Sequence, residues 1–293
     1  MSSHTSTQGD GILYSLSTLV LITGSKISLI LALGEIGARQ YNQSTTRDAS
    51  RLCLPTCASF FGGSMITLAI AGLIFLGIHL VPATRLRAQA INAIGEGLYM
   101  GAFVVLSLAT FFFWAWAFEH APIDARAWYY PNWWPWLKVL LMLFAFVLFV
   151  GGVASPNPTA VRQGELLERP DVGHGIFALT RHPLMWSFGI WGITHFISEP
   201  NWRGFWFFGV FAITALGGAW LQERRKARAY GAAWQRFAAK TSFVPFVALI
   251  QGRAKLSVAE IGWWRIALAV VLWAAILHFH PLLFGVSPLP GLH

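Results

Sequence analysis

From Met65 onward the chain alternates between apolar runs and short polar breaks. Six runs stand out, at about 65–82, 97–119, 136–154, 184–199, 203–221 and 263–284. Most approach the roughly 20 residues needed to span a bilayer, and the fourth, the shortest, can be extended by 175–183 at the membrane surface. The breaks carry the expected punctuation. Pro82 closes the first run, Pro131 and Pro135 precede the third, and Ser155-Pro156-Asn157-Pro158 ends it. After the fifth run, Trp220, Tyr230, Trp234 and Phe237 recur at helical spacing, with most basic residues elsewhere. The pattern predicts an all-α integral membrane helical bundle of about six transmembrane helices plus a cytoplasmic interfacial helix. No internal repeat occurs.

Composition agrees. Of 293 residues, 56% are hydrophobic, 15% aromatic and only 11% charged, whereas soluble domains carry roughly a quarter charged residues. The net charge of +9 is concentrated in loops between apolar runs, a pattern of membrane orientation that argues for no nucleic-acid partner. The loops after the first, third and fifth runs hold thirteen Lys and Arg residues, those after the second and fourth only Arg126 and Arg203. The first set therefore faces the cytoplasm, as expected for a multi-pass membrane protein. Cys53 and Cys57 form a lone CxxxC that supports neither a zinc site nor a disulfide framework.

Residues 1–64 read differently. Stretch 11–33 is only moderately apolar, with Thr23, Gly24, Ser25 and Lys26 inside it, and 39–51 is polar and basic. It fits a signal peptide poorly, and its charges fall on the wrong side of the inferred topology. We expect a leader here: a gene-model extension ahead of a start at Met65, or a weak extra helix. The codons for Gly62-Gly63-Ser64 can hold a purine-rich ribosome site directly before Met65.

Candidate chemistry gathers in and around 173–198, GHGIFALTRHPLMWSFGIWGITHFIS. Titratable groups in a membrane-length segment are costly and mark sites by default. Pro183 fixes its own φ and disfavours helix at His182, so Arg181-His182-Pro183 is a helix start with two polar side chains at its entrance. Such a start favours anionic groups. Glu223 sits where the fifth run leaves the membrane and heads the cluster Glu223-Arg224-Arg225-Lys226. We expect Arg181, His182 and Glu223 to act as a catalytic group. His79, in GIHLVP, is either bonded to a neighbouring carbonyl or an imidazole ligand for a metal or haem iron.

The order GIHLVP, then GEG at 95–97, TRHP at 180–183 and WGITHF at 191–196 resembles the NnrU family of bacterial membrane proteins. The C-terminal half is similar to plant and algal 15-cis-ζ-carotene isomerases, through ERR, RAYG, KTSFVPF, QGRAKL and His280-Pro281. The resemblance covers roughly 65–290. It implies haem b, with His79 and His195 as metal ligands and His182 as a further sensitive position; we also expect Arg181, His182 and His280 among the cofactor-binding residues. It also implies an apolar polyene or a diatomic gas as small-molecule partner within membrane lipid. Redox-gated cis–trans isomerisation or a role in nitric oxide and denitrification metabolism would follow. Arg181-His182-Pro183, Glu223 and Tyr230-Gly231 resemble, more distantly, isoprenylcysteine carboxyl methyltransferases. That likeness implies S-adenosylmethionine as the alternative cofactor, although Met185 stands where those enzymes usually have Tyr.

The topology sets a condition on the inherited ligand pair. His79 ends an inward-running helix, whereas His195 lies thirteen residues beyond His182 on an outward-running one, roughly 20 Å deeper. By depth, His79 matches His182, and His195 matches His278 or His280.

Overall fold

The computed structural model describes residues 63–159, 164–169 and 172–289. Among these, regular structure is helical and no strand occurs. Each apolar run becomes a helix: α1 (Met65–Leu80), α3 (Glu96–His120), α4 (Trp134–Ala154), α5 (Pro183–Ser198), α6 (Trp202–Lys240) and α9 (Trp263–Phe284). Shorter helices lie between them: α2 (Arg85–Ile94), α7 (Val247–Ile250) and α8 (Val258–Ile261). The described residues up to Ala274 form one compact unit, and those from Ala275 onward belong to another. The expectation for residues 1–64 falls outside the described residues except at its end, where Ser64 caps α1 by accepting from the Thr67 amide at 3.0 Å.

Four helices, α3, α4, α6 and α9, are long and apolar enough to cross a bilayer, or five if α1 and α2 form one broken span bent by 74°. The all-helical membrane bundle is as expected, with four or five full-length spans where about six were expected. α1 and α5 have only 16 residues each, about 24 Å of helix against a hydrocarbon core of roughly 30 Å. Proline is the reason at both. Pro82 turns the end of α1 into a 3₁₀ turn, and Pro183 opens α5 one residue after the non-helical His182. α2, RLRAQAINAI, is too polar to lengthen α1. Only 11% of the most apolar window of α3 is buried in the protein, and so large an apolar face belongs against lipid.

The fifth run also exceeds its expected length. Its helix begins at the Asn201 cap, which accepts from the Gly204 amide at 2.7 Å. It includes a π-helical turn at Phe205–Gly209 and continues through the polar segment to Lys240. The expected interfacial helix is therefore the end of α6, set off by a kink at Gly231, whose φ of 46° and ψ of −117° suit only glycine.

Two buried clusters hold the described residues of the larger unit together. One is aromatic: Leu68, Phe75, Trp114, Phe207 and Val210 from α1, α3 and α6. The other lies nearer the basic segments, with Leu148 of α4, Ile176 and Phe177, Ile190 of α5, and Trp234 and Phe237 of α6. Between α5 and α6 the approach is close at glycine: a Cβ at Gly192 would stand 2.9 Å from both Phe208 O and Ala212 Cβ.

Candidate functional site

The Thr180–Pro183 corner is built by two segments meeting. Its backbone pairs with the segment after α6, where the Arg181 amide donates to Ser242 O at 2.8 Å and the Phe246 amide to Leu179 O at 2.9 Å. Thr180 Oγ1 adds a bond to Phe243 O at 2.7 Å. The kink at Gly231 turns the end of α6, so that Arg181 reaches both Glu223 and the carbonyls at the C-terminus of the same helix. Its Nε donates to Glu223 Oε1 at 2.6 Å and Nη2 to Oε2 at 3.4 Å. Nη1 donates to Ala238 O and Thr241 O, both at 3.1 Å. Arg253 caps the same terminus, donating to Ala239 O and Thr241 O at 2.8 Å. Cations at a helix C-terminus complement its dipole and its unpaired carbonyls.

His182 completes the cluster. Its fully buried side chain lies with Nε2 3.2 Å from Glu223 Oε1. Burial holds the imidazole below its ordinary value, more strongly than Glu223 raises it. For Glu223, burial pushes the carboxyl up, but the bonds from His182 and Arg181 outweigh it and hold the group below the usual carboxylate range. A neutral imidazole thus donates from Nε2 to an ionised carboxylate. Its Nδ1 is then a buried acceptor with no partner among the described residues, and the ring lies edge-on to Phe243. Arg181, His182 and Glu223, named from sequence, do meet. Arg181 is spent on Glu223 and backbone carbonyls, which makes it foremost a clamp between α5 and the two parts of α6.

The other histidines lie elsewhere. His79 Nδ1 donates to Phe75 O at 2.8 Å, and its ring meets Phe75 and Phe103. His195 Nδ1 donates to Trp191 O at 2.8 Å, and its ring meets Trp191 and Phe208. These bonds fix in each the tautomer with Nε2 unprotonated, as a metal-ligating histidine requires. The Phe75, Phe211 and Trp191 rings stand between them, with centroids 6.1 and 4.9 Å apart in sequence. α3 shows that they lie at different levels. His79 is beside Phe103, and His195 is beside Phe208, which contacts Phe118. Phe103 and Phe118 are fifteen positions apart on one helix, about 22 Å. Axial imidazoles on one iron sit within about 4 Å, two metal–nitrogen bonds of about 2 Å. The expected pairing of His79 with His195 on one iron therefore does not fit this arrangement, because the helices carry them at different depths. Either histidine alone fits as a single ligand. His280 belongs to the 275–293 unit, where its Nδ1 donates to Val286 O at 2.7 Å.

The family model described as NnrU protein matches residues 67–288. The chain belongs to the NnrU family. Among curated relatives, this NnrU-family chain is 26% identical over 214 residues to the chloroplastic 15-cis-zeta-carotene isomerase of Zea mays, covering 69% of this chain and 56% of that protein. It is 34% identical over 89 residues to the Arabidopsis thaliana isomerase of the same name, covering 28% and 22% of the two chains. The chain thus spans little more than half of the maize relative's length. No solved structure matches it significantly.

Some structural roles left no local mark in the sequence. Asp124 caps the start of α6 from 78 residues away, accepting from the Trp202 amide at 2.9 Å and the Arg203 amide at 3.2 Å. Arg253 was one basic residue among many. The KTSFVPF segment drew notice only through the family resemblance, although its Ser242 and Phe243 carbonyls hold the Arg181 corner.

Proposed function

We propose that the protein isomerises a cis double bond of an apolar polyene within the bilayer, as the plant relatives' name states for 15-cis-ζ-carotene, with haem b as its cofactor. The observation that supports this most is the character of the core between His79 and His195. It is lined by Phe75, Trp114, Trp191, Phe207 and Phe211. Cis–trans isomerisation transfers no atom between substrate and protein, so it needs no general acid and base. It needs a dry cavity, aromatic faces that pack on a conjugated chain, and a group that weakens the double bond. Bound haem would supply that last element as a redox-active iron. His79 or His195 would hold it through Nε2, each already oriented by its own helix carbonyl. The Arg181–Glu223 clamp would keep α5 and α6 registered around this core.

Methyl transfer from S-adenosylmethionine at the Arg181 corner is the rival. It would require Arg181 and Glu223 to open to a polar ligand, whereas here each is occupied by the other. We place the protein in a bacterial inner membrane with its arginine-rich face in the cytoplasm, in contrast to the chloroplast of the named relatives.

The test is a visible spectrum of the detergent-purified protein, oxidised and dithionite-reduced, followed by incubation of the reduced protein with a 15-cis polyene and chromatography of the isomers. The expected result is a Soret band that shifts on reduction, together with trans product. Loss of the band in either His79→Ala or His195→Ala, with the other retaining it, identifies the single ligand. A colourless preparation that leaves the cis polyene unchanged refutes the proposal.

A further inference from the structure

Where α6 leaves its apolar run, a groove of about 340 Å³ is lined by Leu221, Arg224, Arg225, Arg228 and Ala229. On a helix, Arg228 is four residues from Arg224 and three from Arg225, so the three guanidiniums share one side. Like charges at these spacings repel. Arg224 lies 3.7 Å over the Trp220 ring. Arg225 is half-buried, and burial, then the like charge of Arg87, hold it below the ordinary arginine value. Neighbouring carboxylates are occupied: Glu223 by Arg181 and His182, and Glu96 by Arg87 at 3.6 Å. Among the described residues, no carboxylate pairs with Arg224, Arg225 or Arg228.

Three crowded guanidiniums without a counter-charge form a site for a group with several acceptor oxygens and at least one negative charge. Phosphate meets that description, and Arg forks recognise it bidentately. Depth selects its source. The groove begins at Leu221, the last residue of the apolar run, which is the level of lipid phosphates, and Trp220 is an aromatic residue of the kind that sits at the headgroup layer. Basic pockets at this level of membrane helices bind anionic headgroups. We propose that this groove is a binding site for the phosphate of an anionic phospholipid, with Leu221 and Trp220 beside the upper acyl chain.

The test adds phosphatidylglycerol as a dilute guest to the purified protein in neutral-detergent micelles, where general attraction to a charged bilayer is absent, and counts retained lipids by native mass spectrometry. Phosphatidylcholine and inorganic phosphate serve as parallel probes. Wild type is expected to retain phosphatidylglycerol saturably and phosphatidylcholine not at all. At about 1 kcal/mol per basic residue, Arg224→Gln/Arg225→Gln/Arg228→Gln should bind roughly 100-fold more weakly. The equally charged control Arg236→Gln/Lys240→Gln/Lys255→Gln should stay near wild type. Arg225→Lys, which keeps the charge but loses the fork, should weaken binding measurably and covers the case in which the triple variant does not fold. Equal losses in both triple variants, or undiminished binding in the groove variant, overturn the site. Inorganic phosphate binding without retained phosphatidylglycerol overturns the lipid assignment.

Discussion

Replacing Glu223 with Gln tests the clamp most directly, because it keeps the shape and removes the charge. In the native protein, Glu223 accepts from Arg181 Nε at 2.6 Å, from Nη2 at 3.4 Å and from His182 Nε2 at 3.2 Å. The Arg181 and Glu223 side chains are 12% and 21% exposed. Breaking a buried pair by removing one partner costs about 3–5 kcal/mol, because a buried charge is left uncompensated. Arg181 keeps its bonds to Ala238 O and Thr241 O, and Glu223 is partly wet, so the cost falls at or just below the bottom of that range, about 2–3 kcal/mol. At about 2–4 °C per kcal/mol for a chain of this size, Glu223→Gln should unfold about 5–10 °C below wild type in a detergent thermal-stability assay. Adding Arg181→Met should restore much of the loss, since replacing both members of such a pair is often nearly neutral. The pH dependence has a definite sign. The folded Glu223 carboxyl lies below its ordinary value of 4.5, so its contribution is complete above that pH and declines as pH falls through the folded value. The gap between wild type and Glu223→Gln should therefore stay constant from about pH 5 to 8 and close below about pH 4.5. A variant melting within about 1 °C of wild type at pH 7, or a gap that opens rather than closes in acid, would refute the clamp.

Three further outcomes follow from single contacts. Gly192→Val places methyls where even a Cβ comes within 2.9 Å of Phe208 O, so overpacking should cost about 1–3 kcal/mol, seen as a lower melting temperature. Gly231→Ala has open space around the added Cβ but must adopt a φ of 46°; the strain should cost about 1–3 kcal/mol, and a melting temperature equal to wild type would refute it. Asp124→Ala leaves the Trp202 and Arg203 amides without their carboxylate and should cost about 1 kcal/mol, with faster amide exchange confined to the first turn of α6 as the local readout.

Much of the fold was legible because membrane helices announce themselves by continuous apolarity. All six runs became helices, with α4 bounded by the Trp134 and Ala154 region that Pro135 and Ser155 suggested. What could not be read was the difference between an apolar run and a full span. α5 contains the same kinds of residue as α4, yet Pro183 and the Glu199 turn confine it to 16 residues. The extent of α6 was hidden for the opposite reason. Polarity after Trp220 suggested a separate helix, whereas backbone hydrogen bonding does not stop where the bilayer does. The corner of Arg181, His182 and Glu223 was legible as a set because two of its members are adjacent and the third is a costly acid at a membrane boundary. Its use of the guanidinium was not legible. The partners Ala238 O and Thr241 O are backbone atoms, which carry no sequence signal.

The same distinction explains the histidines. WGITHF and FLGIHLVP each place an imidazole four residues after an aromatic, and in each case Nδ1 turns back to that residue's carbonyl: Phe75 for His79 and Trp191 for His195. That local geometry follows from helical spacing alone. It prepares Nε2 as a ligand atom regardless of where the helix sits, so ligand competence is local while ligand pairing is not. Pairing depends on depth. α1 stops at Leu80, with His79 in its last turn, and α5 starts at Pro183, with His195 in its last turn. Two short helices running in opposite directions, each bearing its histidine at its own C-terminal end, set those histidines at opposite levels of the aromatic core. A shift of one helix by a single turn, about 5.4 Å, would still leave the two histidines on opposite sides of the Phe75–Phe211–Trp191 rings. Joining the two to one iron would require rearrangement of the Phe75–Phe211–Trp191 packing itself, and that packing is what the proposed isomerase core is made of.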